Sequence, residues 1–516
     1  MKKYSFLLAC LALLGSAGKG FAQSETDVLR YSRTDFGGTA RSLGLSGANV
    51  ALGGDAGSFS ANPAGLGLFR RSEVTVSAGL NFNETNSSVF GTSAMDNRNN
   101  LNIPQVGIVI TTRKADDEEG DWRSGSFGLG LTRLNNFNQR MTYRGTSPRG
   151  ALKFAEYADQ LANSTTEGAN AFDESYLAYE TGLITFDEAG GFYYAPDYSV
   201  VPANENDPIT RALVATPFQE SIVTSGSQNQ WDLSYGASFR DKLFLGASIG
   251  ITSVRFKQTR TYSETGPTVA ESPQSGLQSF RLQDNLTTEG TGVMLKVGAI
   301  YRPSDVLRLG VAVQTPTWYT LVDQYSTNLT VNYTTGMFTN DVEYATTDLG
   351  EFEYNLTTPF RASGGAAVFL GKNGFITADV EYVNYANGRL SSNDASFQNA
   401  NQAARNSYQS AMNYRFGAEA RIDIFRLRGG VGLYGDPMKN SNVDQSKTFF
   451  TGGFGLRQTN YFIDAALVYS KYKSLYSPYS NLEFGSPDSV YDEAITPLTE
   501  NKHENTNFVV TFGWNF

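Results

Sequence analysis

The sequence predicts an all-β protein, a transmembrane antiparallel β-barrel of about 14 strands lying in the outer membrane of a Gram-negative bacterium. Three observations lead there. Many segments of roughly ten residues alternate apolar and polar side chains, the period of a strand with one greasy and one wet face. Long and short connections between these segments take turns along the chain, as they do in outer-membrane barrels. The last segment places Phe508, Val510, Phe512, Trp514 and Phe516 on one face. Mean hydropathy is only −0.32, and no run after the first residues approaches the ~20 apolar residues of a membrane helix. A barrel needs no such run, because its lipid-facing and lumen-facing residues average out.

In chain order, residues 1–22 read as a secretory signal. Lys2 and Lys3 make the basic start, Phe6 to Leu14 the apolar run, and Gly20-Phe21-Ala22 the small-residue cut before Gln23. Leu7-Leu8-Ala9-Cys10 offers a rival lipoprotein box, disfavoured because the apolar run continues to Leu14. The mature chain then has no cysteine, so neither a disulfide framework nor a thiolate metal site is expected. Loss of Lys2, Lys3 and Lys19 takes the formal charge from −10 to −13. That acidity argues against nucleic acid as a partner, since phosphate contacts need a basic surface.

Residues 23–73 read as a hatch, or plug, for the lumen. Glycine and alanine crowd this stretch, culminating in Asn62-Pro63-Ala64-Gly65-Leu66-Gly67, and glycine lets backbone approach backbone. Leu43, Leu45, Val50, Leu52, Phe59, Leu66 and Leu68 argue against the other reading, a free periplasmic tail. Closing fourteen strands also leaves a lumen wider than wall side chains can fill, since eight already make a filled interior.

Residues 74–516 form the barrel. The strands are expected at 74–83, 103–112, 125–135, 229–240, 243–254, 292–302, 306–316, 360–370, 374–385, 413–423, 426–435, 448–457, 461–472 and 506–516. The clearest case sets Tyr414, Phe416, Ala418, Ala420 and Ile422 against Arg415, Glu419, Arg421 and Asp423. Arg facing lipid at mid-membrane costs roughly 2–4 kcal/mol, and the charges keep to the other face. Trp231, Leu233, Tyr235, Ala237 and Phe239 likewise oppose Asp232, Ser234, Gly236, Ser238 and Arg240. Long loops are expected at 84–102, 136–228, 255–291, 317–359, 386–412, 436–447 and 473–505, with tight turns such as Asp241-Lys242 between them. A soluble sandwich would share the alternation of faces but has no reason to alternate its connections. The third strand reads Phe127, Leu129, Leu131 and then shifts phase to Leu134. A slip at Thr132, Arg133 and Leu134 fits a bulge, or else the strand leaves the membrane there. In the 136–228 loop, Leu152, Phe154, Ala155, Tyr157 and Leu161 mark a helix-like stretch that either forms a greasy outer site or packs loops together.

Several segments resemble the FadL-type long-chain fatty-acid transporters. Ala40-Arg41-Ser42-Leu43-Gly44, Asp55-Ala56 and Asn62-Pro63-Ala64 look like that family's hatch. Gly298 to Pro303 with Leu307-Arg308-Leu309-Gly310, then Thr358-Pro359-Phe360-Arg361, Asp379-Val380-Glu381-Tyr382 and Leu427-Arg428-Gly429-Gly430, are similar in the same order. The resemblance implies a fourteen-stranded barrel with the hatch in its lumen and passive uptake of hydrophobic compounds such as long-chain fatty acids. Ligand would be captured among the loops, reach a pocket near the hatch and leave sideways at a kinked third strand. Asp55, Asn62, Pro63 and Ala64 would then belong to the hatch, and Thr132, Arg133 and Leu134 to the lateral opening. A carboxylate headgroup wants a cation, for which the loops offer Arg140, Arg144 and Arg149. Phe512, Trp514 and Phe516 resemble the terminal signal read by the barrel assembly machinery. The partners so implied are outer-membrane lipid, a hydrophobic small molecule and that machinery. Some hatch-bearing barrels of this kind serve secretion machinery as surface adaptors instead, and a general porin is a third reading.

Enzyme chemistry is not expected. His503 is the single histidine, so a Ser-His-Asp site would have to use it. Asp116-Asp117-Glu118-Glu119 lacks the glycine and spaced ligands of a calcium loop, no cluster has zinc spacing, and no phosphate-cradling loop appears. No cofactor or metal is implied.

Overall fold

The computed structural model describes residues 25–115, 117–147, 174–194, 200–202, 211–213, 216–265, 277–333, 342–439, 441, 443–477 and 498–516, together with 154, 158 and 161–163. The 1–22 signal and Arg149 lie outside these residues.

Fourteen strands make the wall: β1 Glu73–Val89, β2 Thr92–Arg113, β3 Trp122–Asn136, β4 Thr216–Phe239, β5 Leu243–Thr265, β6 Leu277–Tyr301, β7 Leu307–Gln314, β8 Arg361–Phe369, β9 Gly374–Asn384, β10 Ser410–Ile422, β11 Phe425–Tyr434, β12 Lys447–Arg457, β13 Tyr461–Tyr476 and β14 Thr499–Asn515. Each pairs antiparallel with its neighbour in sequence. β14 pairs with β1, Trp514 opposite Val74 and Thr506 opposite Phe82, so the sheet closes. Closure is what hydrocarbon demands, because lipid offers no partner to an edge strand's N–H and C=O groups.

The two faces separate as the alternation predicts. Trp514, Phe512 and Phe508 are about half exposed, while Thr511 and Val509 on the other face of the strand are fully buried. Tyr414, Phe416 and Ile422 point outward; Arg415 and Glu419 point into the lumen. The outward belt is the apolar surface of a barrel in lipid, and it fits an outer membrane.

One end of the barrel carries tight turns. Arg240 and Asp241 both have positive φ in the β4–β5 turn. Asp241 takes both arms of the Arg113 guanidinium (3.0 and 2.8 Å) and the Ser238 hydroxyl. The Arg113 bonds hold its carboxyl down at about 2. At the other end the strands run well beyond the greasy belt. The 84–102 stretch, expected as a long loop, is the tip of a hairpin that turns at Phe90-Gly91, both with positive φ. β5 and β6 likewise stay paired out to Thr265 and Ser279. The 136–228 stretch holds a further strand, Gln139–Ser147, paired with the start of β4, and 317–359 holds Trp318–Tyr333 and Gly350–Thr357, which pair with each other. These extensions are rich in Asn, Thr and Ser on both faces. The β1–β2 tip carries little greasy alternation to read, whereas Gly350–Thr357 sets buried Phe352, Tyr354 and Leu356 against exposed Glu351, Glu353 and Asn355.

Phe154 is buried against Phe280 in an apolar cluster with Tyr143, Leu177, Leu329 and Tyr333. Of the helix-like stretch, Phe154 and Leu161 are described, and Phe154 packs loops and strand extensions together. Leu152, Ala155 and Tyr157 lie outside the described residues.

Candidate functional site

Residues 25–69 pack against the inward face of the wall. They form the helix Glu25–Ser32, single turns at Ala40–Leu43 and Ser58–Ala61, and the tight helical stretch Pro63–Leu68. Thr39 caps the second by accepting from the Ser42 N–H, and its hydroxyl donates to Asp55 (2.9 Å). Asp55 also accepts from the Gly57 N–H (2.8 Å). Asn62 closes an Asx turn onto the Ala64 N–H (3.1 Å), with Pro63 at the first helical position where no N–H is needed. The Asn62 amide donates to Val50 O (2.7 Å) and faces Ala299 O and Val311 O on β6 and β7 at 3.3 and 3.2 Å.

Inward-facing glycines make room for this segment. A Cβ on Gly298 would stand 1.9 Å from Asn62 Oδ1, and one on Gly246 would stand 2.4 Å from Pro63 and Ala64 backbone. Phe59 rests in a hollow left by Gly107, Gly128 and Gly130 of β2 and β3. Backbone can lie this close to a wall only where the wall lacks side chains.

On the β8–β13 side the segment and wall are joined by charge. Arg428, fully buried, bonds Glu419 and Asp464, each at 2.7 Å. Arg41 of the segment reaches Glu419 (3.6 Å) and Asp55 (4.0 Å). Higher in the lumen Glu381 pairs with Arg361 (3.0 Å) and Arg415 (3.3 Å), and Asp379 accepts from the Val50 N–H (2.9 Å). Each ion has a partner, which buried charge requires.

The opposite side, β13-β14-β1-β2-β3, leaves a cavity of about 560 Å³. Leu29, Phe36, Leu134, Phe137, Met141 and Phe256 give it an apolar side; asparagines of β1, β2, β3 and β14 give it a polar one. Residues from both β2 (Asn102, Pro104) and β3 (Arg133 to Asn136) line it. Here the wall is parted. The β2–β3 ladder stops at Gln105 opposite Thr132. The β3–β4 register slips between Arg133 and Asn135, so Leu134 is the extra residue of a bulge. Beyond it the strand resumes at Gln139 paired only with β4, and Gly226 of β4 takes a positive φ beside the break. β2 above Gln105 pairs only with β1, after its own slip around Pro104, which has no N–H to give. β2 and β3 then meet through side chains, Asn136 donating to Asn100 (3.0 Å). The Leu134 carbonyl, freed from the ladder, accepts from the Asp35 N–H of the lumen segment (3.2 Å).

The sequence-singled residues fall into separate places. Asp55, Asn62, Pro63 and Ala64 lie together in the lumen segment. Thr132, Arg133 and Leu134 lie at the parted wall, Arg133 and Leu134 lining the cavity. Arg140 and Arg144 are exposed and alternate with buried Met141 and Tyr143, so they point away from the cavity that Met141 lines. Phe512 and Trp514 belong to the outward belt, next to exposed Phe516. The cavity's cations are Arg30, Arg33, Arg133 and Lys447; of these the sequence marked only Arg133, through the phase slip. His503 bonds Ser474 on Nε2 (2.8 Å), but its Nδ1 faces Thr85 and Gln139, so among the described residues no carboxylate completes a triad. No metal-binding group of His, Cys, Asp and Glu occurs among the described residues.

The structure is thus a closed fourteen-stranded barrel with an apolar outer belt, its N-terminal segment against the inner wall and a parted ladder between β2 and β3. No protein-family model matches the chain, and no curated protein sequence does. Solved structures do match. A FadL homologue of Pseudomonas aeruginosa superposes with a TM-score of 0.52 at 11 % identity, over 94 % of this chain and 99 % of that one. The toluene transporter TodX of P. putida gives 0.50 at 12 % identity, over 93 % and 99 %. The chain has the FadL-type barrel fold.

Proposed function

We propose that this protein carries hydrophobic compounds, long-chain fatty acids among them, passively across the outer membrane. The tight-turn end faces the periplasm and the long-loop end the exterior. Ligand enters among the loops, occupies the cavity beside the lumen segment, and leaves sideways between β2 and β3. Residues 23–73 act as the hatch, and Thr132, Arg133 and Leu134 border the exit. The observation that carries this reading is the parted ladder beyond Thr132, which opens onto a cavity with an apolar side. Burial of each CH₂ is worth about 0.8 kcal/mol, so an acyl chain needs few polar contacts to bind there. The fold shared with a toluene transporter and a FadL homologue supports it. Phe512, Trp514 and Phe516 serve recognition by the barrel assembly machinery.

The test is a reversible lock. Asn100 and Asn136 touch across the parting, and Asn100→Cys with Asn136→Cys should form a disulfide there. Oxidised cells should take up a labelled long-chain fatty acid at least about tenfold more slowly, with recovery on reduction. Uptake unchanged by oxidation, with the disulfide verified on gels, would exclude the lateral route.

A further inference from the structure

The cavity's polar side is made of neutral amides in cross-strand register. Asn81 on β1 stands opposite Asn507 on β14 and opposite Asn100 on β2; Asn83 stands opposite Asn505 in the adjoining inward row. Antiparallel strands lie about 4.8 Å apart, so such rows present amides at a regular short spacing. Asn81 is 3 % exposed and Asn501 fully buried, while Asn83, Asn100, Asn505 and Asn507 are half-buried. Yet Oδ1 of Asn81, Asn505 and Asn507, and both amide atoms of Asn501, have no hydrogen-bond partner. Leaving amides buried and unpaired costs roughly 1–3 kcal/mol each by mutational scales. A row of them beside an open cavity is a demand for an occupant that hydrogen-bonds.

The charges nearby do not ask for an anion in the same way. Lys447 spends its ammonium on Asp35 (2.9 and 2.7 Å), Arg30 pairs with Asp27, and Arg33 donates to Gln445 O (2.7 Å). Arg133 on the bulge is the exception, since its Nε has no partner; a carboxylate drawn to it sits at the parting and leaves the amide rows to water. Side-chain amides both donate and accept, and can turn to present either atom. Hydroxyl groups match them in both roles; hydrocarbon matches neither, and a carboxylate can only accept.

We infer that the cavity selects amphiphiles whose acyl chain ends in a neutral, hydroxyl-bearing headgroup, such as an acylglycerol, over free fatty acids and bare hydrocarbons. The chain lies on Phe36, Phe137 and Phe256, and the hydroxyls meet the β14-β1 asparagines. This inference rests on the uptake reading and names its substrate class.

The experiment compares three C12 probes on the full-length protein in lipid nanodiscs, by calorimetric titration against empty nanodiscs: 1-dodecanoylglycerol, dodecanoate and dodecane. The acylglycerol should bind about tenfold more tightly than either other probe, the worth of one or two hydrogen bonds. Asn505→Leu with Asn507→Leu should erase that preference while leaving dodecane binding equal or tighter. The milder Asn505→Ala, should the double variant fail to fold, should reduce the preference by about threefold. If dodecanoate binds as tightly as the acylglycerol, or the preference survives these substitutions, the inference fails and the uptake reading stands. If none of the three probes binds, the uptake reading itself fails.

Discussion

The two halves of the lumen wall are built on opposite principles. From β8 to β13 the inward residues are ions held in closed pairs, Arg428 between Glu419 and Asp464 and Glu381 between Arg361 and Arg415. From β14 through β1 to β3 they are mostly amides and hydroxyls around a cavity. The ionic half fixes the N-terminal segment, because Arg41 shares Glu419 with Arg428. The amide half leaves a cavity of about 560 Å³. One wall is closed against the segment and the other stands off from it, although both belong to one barrel.

The comparison is broken most severely at Arg428. Replacing it with methionine leaves Glu419 and Asp464 buried with one cation fewer, a loss of about 3–5 kcal/mol. A lowered midpoint of urea unfolding in lipid vesicles would register it. Adding Glu419→Gln and Asp464→Leu should not recover the loss, because it takes a carboxylate from each of Arg41, Arg421 and Arg457. Asn81→Ala, in the other half, should cost under about 1 kcal/mol, because the amide it removes already lacks a partner on Oδ1. An equal cost in both halves would refute the contrast.

A smaller effect sharpens how tightly the segment is seated. Gly298→Ala drives a methyl into Asn62 and should cost roughly 1–3 kcal/mol. The readout is ion conductance in planar bilayers, which should rise as Asn62 gives up Ala299 O and Val311 O. Gly452→Ala is the control: nothing lies within 4 Å of the added methyl, so conductance should not change.

The smallest effect lies outside both halves, at the β4–β5 turn. Arg113 depresses Asp241 to about 2, below the ~3.9 of an unfolded chain. The stabilising contribution is therefore complete above that unfolded value and disappears as pH falls through about 2. Carboxyl carbon NMR should place the Asp241 midpoint near 2 in the native protein and return it toward 3.9 in Arg113→Gln. A native midpoint already near 3.9 would mean the pair is loose in solution.

Much of this was legible from spacing alone. Tyr414, Phe416 and Ile422 against Arg415 and Glu419 needs no structure, because lipid punishes a misplaced charge and period two does the rest. The lost phase at Thr132 to Leu134 was visible, but it fitted a bulge and a strand leaving the membrane alike, and only the register slip between Arg133 and Asn135 makes it a bulge. The hairpin tip at Phe90-Gly91 was missed, because above the membrane both faces are polar and the sequence loses its contrast while the hydrogen-bond ladder does not. The ion groups were missed for another reason. Glu419 and Arg428 are direct cross-strand partners on β10 and β11, but Asp464 on β13 meets Arg428 only across β12, over the missing side chain of Gly455. Arg140 and Arg144 were offered as headgroup contacts while they could be taken for loop residues. Once Gln139–Ser147 is a strand, its parity with buried Met141 and Tyr143 turns them away from the cavity.

The bond from the Asp35 N–H to the Leu134 carbonyl has a mechanical reading. A bulge spares one carbonyl from the ladder, and here the spare acceptor is taken by the chain inside the barrel. Retracting that inner chain strands the acceptor; reshaping the bulge strips the inner chain of an anchor. In the proposed route, movement of the segment and widening of the gap would share this bond, so a substitution that alters one should alter the other.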